Sequence, residues 1–140
     1  MSAKDMYHNS VRTALEKDDW LITNDPLHLG YSVGDKNMYV DLGAEKLISA
    51  KKGNVKIAVE VKSFLSHSIV NDFHLSIGQY VNYRALLKQM EPERKLYLAI
   101  TDDTFLQIEE SSVLNFLAKA NKVKFIAFNN AESRIVKWKK

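Results

Sequence analysis

Val55, Ile57, Val59 and Val61 alternate with Lys56, Ala58, Glu60 and Lys62, and only an extended strand sorts a period of two into separate faces. The first set is entirely β-branched, which favours a pleated, half-buried surface. The second set carries a carboxylate and an ammonium near the end of the same strand. Side chains two apart on a strand point the same way and sit roughly 6.5–7 Å apart. Charged groups rarely occupy such a strand unless they are paired or coordinate a metal. Any fold proposed for this chain has to bury this strand and still find a use for Glu60 and Lys62.

The rest of the chain supplies partners for that strand. Ser2 can accept from the N–H groups of a first helical turn, and Tyr7, Val11 and Leu15, broadened by Met6 and Ala14, form one apolar stripe. They predict a helix ending near Asp18. Residues 20–23 predict a short strand stopped by Asn24-Asp25-Pro26. Residues 30–37 read as a turn-rich link into a strand at 38–42, closed by Asp41, and 45–50 as its continuation past a bulge at Gly43. Residues 51–54 make a hairpin turn, since Gly and Asn tolerate positive φ. From Ser68 the period becomes helical, with Ile69, Phe73, Ile77, Tyr80, Val81 and Leu87 on one stripe and Pro92 beyond its end.

Residues 95–101 are continuously apolar enough for a buried strand. Asp102 or Asp103 caps a short helix, a helix follows at 112–120, a strand at 124–128 and an edge strand at 134–138. The order α-β-β-β-α-β-α-β predicts an α/β sandwich with a mixed sheet. The long helix makes residues 95–101 parallel to the Glu60 strand.

Composition bounds the chemistry. The chain has 140 residues and no repeat or linker, so residues 1–140 are read as one domain. It has no cysteine, which excludes disulfides and thiolate metal sites and fits a reducing cytoplasm. No apolar stretch approaches the roughly 18 residues of a membrane span, and the N-terminus lacks the apolar core of a secretory signal. His8, His28, His67 and His74 lack the spacing of a zinc site. No Gly-x-Ser-x-Gly turn or phosphate-cradling glycine loop is present. Trp20 and Trp138 read first as packing residues. The net charge of +3 is mild, but Lys51, Lys52 and Lys56 cluster at the hairpin, where they could contact phosphates.

A four-residue turn at 51–54 would pair Ala50 with Val55, Glu45 with Glu60 and Asp41 with Phe64. Asp41, Glu45, Glu60 and Lys62 then share one face. Asp41 lies roughly 13 Å along the strands from Glu60 in that register, so Asp41 and Glu45 both stand as candidates for the first acid. Hard oxygen ligands of this kind suit Mg²⁺ or Mn²⁺. A cation there could activate a water and offset charge on a phosphate, with Lys62 helping to position that water. An acid followed by Glu-Val-Lys on the next strand is the arrangement of a metal-dependent nuclease site.

The runs 39–48 (Tyr-Val-Asp-Leu-Gly-Ala-Glu-Lys-Leu-Ile) and 57–64 (Ile-Ala-Val-Glu-Val-Lys-Ser-Phe), with residues 3–8, Gly78-Gln79-Tyr80 and 91–99, resemble the XisH family of fdxN element excision controlling factor proteins. The likeness spans nearly the whole chain. It implies a restriction-endonuclease-like three-layer sandwich of the PD-(D/E)xK type, acting on DNA in the site-specific excision of a DNA element. It further implies Asp41 and Glu60 as catalytic metal ligands with the Val61 backbone carbonyl, Lys62 as the lysine, and Gln79 in support. The residue before Asp41 is Val40 rather than the proline of the superfamily pattern. The implied partners are DNA, a small XisI-like companion and a site-specific recombinase, and a homo-oligomer is compatible with all of these. A non-catalytic controlling factor that keeps the fold is the competing expectation.

Overall fold

The computed structural model describes residues 2–33, 38–41 and 47–140, with side chains described for 2–30 and 47–140. Their order is α1 (Ala3–Lys17), β1 (Leu21–Asn24), β2 (Gly30–Val33), β3 (Met38–Asp41), β4 (Leu47–Lys52), β5 (Val55–Val61), α2 (Ile69–Met90), β6 (Lys95–Thr101), α3 (Asp102–Glu110), α4 (Ser112–Ala120), β7 (Phe125–Asn129) and β8 (Arg134–Lys139).

A six-stranded sheet runs β1-β4-β5-β6-β7-β8, and β2 and β3 form a separate two-stranded ribbon. Pairing is parallel at β5/β6 and β6/β7 and antiparallel at β1/β4, β4/β5 and β7/β8. The sheet is mixed because α2 carries the chain from β5 back to the start of β6, while a tight hairpin joins β4 to β5.

The strand pattern divides the core in two. Ile48, Ala50, Ile57, Val59, Val61, Ala99 and Ile126 pack with Val11 and Leu15 of α1. Leu47, Ala58, Leu98, Ile100 and Ala127 pack with Phe73, Tyr80 and Leu87 of α2, Phe105 of α3 and Leu114 of α4. One helix therefore covers one face of the sheet and three cover the other. Both faces of the central strands are buried, which explains their near-continuous apolar runs.

The helix boundaries follow from their caps. Ser2 Oγ accepts from Asp5 N at 3.2 Å, and Ser68 Oγ from Asn71 N at 3.1 Å, each satisfying an otherwise orphaned donor. Tyr80 does a different job. Its hydroxyl donates to Leu96 O at 2.8 Å and accepts from Lys124 N at 3.1 Å, tying together the backbones that lead into the β6–β7 pair.

Three expectations need correction. Residues 30–33 are a strand, not part of a link, and their partner is β3, so β3 belongs to the small ribbon and β4 to the main sheet; the bulge expected at Gly43 lies outside the described residues. The register of β4 and β5 is two residues from the expected one: Leu47, not Glu45, stands opposite Glu60, and Ala50 opposite Ile57. The turn is shorter than assumed because Gly53 takes φ +59°, letting Gly53-Asn54 reverse the chain alone. A shift of two preserves the faces. The cap of α3 is Thr101, whose side chain accepts from Thr104 N at 3.3 Å. Asp102 and Asp103 are first-turn acids instead; the short helix precedes α4 as expected, while β2 makes the element order longer than predicted.

Among the described residues, no helix is long and apolar enough to cross a membrane. Burial raises the pKa of the Tyr80, Tyr83 and Tyr97 phenols above 10.0, opposed in part at Tyr80 by the Lys124 N–H and Arg84 and assisted at Tyr83 by the charge of Glu60. Each folded phenol keeps its proton where the unfolded chain has begun to lose it. Their contribution to stability is full below about pH 10 and is lost as pH rises through the folded values. Thermal melts from about pH 9 to 11 should show Tm falling only in the upper part of that range, and by less in Tyr97→Phe. A Tm with the same pH dependence in that variant would refute the assignment.

Candidate functional site

Glu60 lies on the α2 face of β5, opposite Leu47 on β4 and Leu98 on β6, and is only 2% exposed. A carboxylate at that depth demands compensation. Lys62 Nζ lies 3.4 Å from Glu60 Oε1 and donates to Gln79 Oε1 on α2. The Lys62 backbone N–H donates to Ala99 O at 3.0 Å, so the end of β5 stays tethered to β6 after the ladder stops. The lysine is held from both sides: by the strand end through its backbone, and by the helix through its amine.

Gln79 and Tyr83 are four apart on α2 and share a face. Tyr83 is buried. Its phenol pKa is raised first by that burial and then by the negative charge of Glu60. Sequence reasoning did not place Tyr83 beside the carboxylate; its four-residue spacing from Gln79 on the helix was the available signal.

Beyond Lys62 the chain turns sharply. Phe64 has φ +49°, a left-handed conformation that costs a bulky residue roughly 1–3 kcal/mol. Its ring packs on the α2-side core. Ser66 N then donates to Asp72 Oδ2 at 3.1 Å, fixing the link to the first turn of α2. Between this link and the helix lies a cleft of about 340 Å³ lined by Lys62, Phe64, Leu65, Ser76 and Gln79 among others. Lys62 and Gln79 thus face an open space, while Glu60 lies behind them.

The structure therefore brings Glu60, Lys62 and Gln79 together. Asp41 ends β3, opposite Gly30, but its side chain lies outside the described residues, as does all of Glu45. Val61 follows Glu60 with its side chain buried on the α1 face. Lys51, Lys52 and Lys56 stand at the opposite end of β5 and do not join this group. Among the described residues, no three acidic, histidine or cysteine side chains gather as a metal site. Glu60 nonetheless offers a hard oxygen donor of the kind Mg²⁺ or Mn²⁺ takes, often from only one or two carboxylates with waters completing the shell.

Gly78, beside Gln79 on α2, is exposed, and a Cβ there would meet nothing within 4 Å. Gly78→Ala should stabilise the fold by roughly 0.5–1 kcal/mol, because glycine in a helix loses more backbone entropy on folding than alanine. Chemical denaturation would read this as a higher midpoint at constant m. A lowered midpoint would mean that the open space above Gly78 does not exist.

A mixed sheet with helices on both faces, whose central strand ends in a buried carboxylate beside a helix-held lysine, defines an α/β protein with a polar site at one strand end. The chain belongs to the XisH family: residues 1–136 match the family model described as "XisH protein". It is 41% identical to an XisH family protein from Nostoc punctiforme PCC 73102, whose crystal structure it matches with a TM-score of 0.86, covering 97% of this chain and 100% of that one. A fdxN element excision controlling factor protein from Anabaena variabilis matches at 40% identity and TM-score 0.86, covering 97% of this chain and 99% of that one. No curated protein matches the chain.

Proposed function

We propose that this protein is a restriction-endonuclease-like enzyme of the PD-(D/E)xK type, cutting DNA with Mg²⁺ or Mn²⁺ during the site-specific excision of a DNA element. The observation that carries this reading is the buried Glu60 carboxylate 3.4 Å from the ammonium of Lys62, with Gln79 holding that ammonium at the edge of an open cleft. Glu60, the Val61 carbonyl and either Asp41 or Glu45 would hold the cation. When bound there, the cation supplies positive charge at the scissile phosphate and acidifies an attacking water. Lys62 orients that water and offsets the negative charge that develops on the phosphate. Gln79 acts through Lys62, limiting its long side chain to one direction. Tyr83 and the apolar wall behind Glu60 keep bulk water from the carboxylate.

DNA is the substrate in this reading, and an XisI-like companion and a recombinase are its partners. Incubating supercoiled and branched DNA with the protein, with and without Mg²⁺ or Mn²⁺, tests it. Metal-dependent nicking or linearisation is the expected outcome, and intact DNA at high enzyme concentration would reject it. A second reading draws on the name of the Anabaena variabilis relative, a controlling factor: a regulator that keeps the fold and acts by binding DNA, the recombinase or the companion without cutting. It predicts normal excision when Glu60 and Lys62 are both replaced.

A further inference from the structure

We propose that the end of the sheet away from Glu60 is a separate binding surface for the phosphate backbone of double-stranded DNA. This rests on the reading of the protein as one that acts on DNA, and it extends the phosphate contact expected of Lys51 and Lys56 to a cleft whose residues that reading does not use. Strands β5, β6 and β7 run parallel, so their first residues gather at one end. There, a cleft of about 280 Å³ is lined by five cationic side chains, Arg84, Lys88, Arg94, Lys95 and Lys124, and by no carboxylate. Lys56 opens the same end of β5, four residues and roughly 13 Å from Glu60.

Most of this charge is uncompensated. Arg94 is paired with Glu91 at 3.2 Å and serves the fold, donating to Ile57 O at 2.9 Å. Arg84 is fixed by the carbonyls of Asn121 and Lys122 at 2.7 and 3.1 Å and lies over the Tyr80 ring at 5.3 Å. Among the described residues, no carboxylate lies within salt-bridge distance of Arg84, Lys88, Lys95 or Lys124. Lys51 and Lys56 face each other directly across the β4–β5 ladder, a like-charge pair that weakens a sheet. The fold gains nothing from the unpaired lysines here, whereas a polyanion lying across them would neutralise their charge.

The chemistry favours phosphate over an acidic protein face. Protein interfaces deplete lysine and centre on an aromatic or arginine anchor in a desolvated pocket. The one aromatic side chain lining this cleft, Tyr80, is fully buried. Lys52 separates from its neighbours: it lies 3.8 Å from Asp18 and over the Trp20 ring at 5.2 Å, so it belongs to the other face. The Glu60 cleft is lined by a different set of residues at the other end of the same strands, so the contact proposed here is separate from it.

The test is fluorescence anisotropy of a labelled random-sequence duplex of about 20 base pairs against salt, with the full chain carrying Glu60→Gln so that no cutting occurs. Each phosphate contact contributes about 0.9 to the slope of log affinity against log salt. The triple variant Lys88→Ala, Lys95→Ala, Lys124→Ala should flatten that slope by roughly 2–3, and Lys52→Ala should leave it unchanged. Lys56→Thr should weaken binding while raising Tm, a combination that a purely structural lysine does not give. If the Glu60→Gln protein binds the duplex and the triple variant keeps its slope, this surface is not the contact, whatever the outcome at Glu60. Failure of the Glu60→Gln protein to bind any duplex, or capture of an acidic protein in its place, would overturn the proposal too. Lost cleavage without lost binding in Glu60→Gln would leave it standing.

Discussion

Glu60→Gln and Lys62→Ala are expected to abolish metal-dependent DNA cleavage by different routes, each lowering the rate by roughly 10²–10³-fold or more. The first keeps the shape of a side chain that is 2% exposed but removes the charge that would hold the cation. Binding of Mn²⁺, followed calorimetrically, should weaken together with cleavage. The second removes the ammonium 3.4 Å from the carboxylate while leaving the oxygen donors in place. Cation binding should survive, and only the turnover should disappear. A readout independent of activity accompanies the pair. The Tyr83 phenol is raised by burial and then by the charge of Glu60, so Glu60→Gln should bring its titration part of the way back down. Normal excision with both substitutions would reject the catalytic reading. An unmoved Tyr83 would show that the carboxylate does not face it.

Tyr80→Phe should cost about 2–4 kcal/mol, a large part of the stability of a domain this size. The ring is fully buried and phenylalanine fills the same space, so no cavity term enters. What is lost is the hydroxyl that serves Leu96 O and Lys124 N at 2.8 and 3.1 Å. Leaving a buried donor or acceptor without a partner costs roughly 1–3 kcal/mol each. At about 3 °C per kcal/mol, Tm should fall by roughly 6–12 °C. Hydrogen exchange at the Lys124 amide should accelerate in step. A Tm within about 2 °C of the parent would mean that water replaces the hydroxyl at no cost.

The legible parts of this molecule were those set by local chemistry. Ser2 and Ser68 mark two helix starts because a hydroxyl satisfies an N–H only at that position. The α2 stripe was visible because Phe73, Ile77 and Tyr80 recur at helical spacing. Glu60 and Lys62 share a side because they are two apart on one strand, so the error in the β4–β5 register did not touch it. Pairing between distant strands was not legible. Nothing in residues 38–42 says that β3 pairs with Gly30–Val33 and not with the main sheet, or that β1 chooses β4. Gln79 entered through family resemblance, and its contact with Lys62 depends on how α2 lies over β5, which no local pattern encodes. The hairpin lysines illustrate the same limit. They are adjacent in sequence, yet alternation sends Lys52 to one face and Lys51 with Lys56 to the other.

The helix that begins the chain rests on the hairpin that ends it. Ser10 Oγ donates to Asn130 Oδ1 at 2.7 Å across 120 residues, and Lys17 Nζ donates to Glu132 O at 2.8 Å. During synthesis at about 5–20 residues per second, the partner of Ser10 is made roughly 6–24 s after Ser10 itself. Throughout that interval the stripe of Val11 and Leu15 has only an incomplete sheet to lie on. Of the elements described, α1 is made before any strand of the sheet, yet its contacts are complete only once the β7–β8 hairpin has been made.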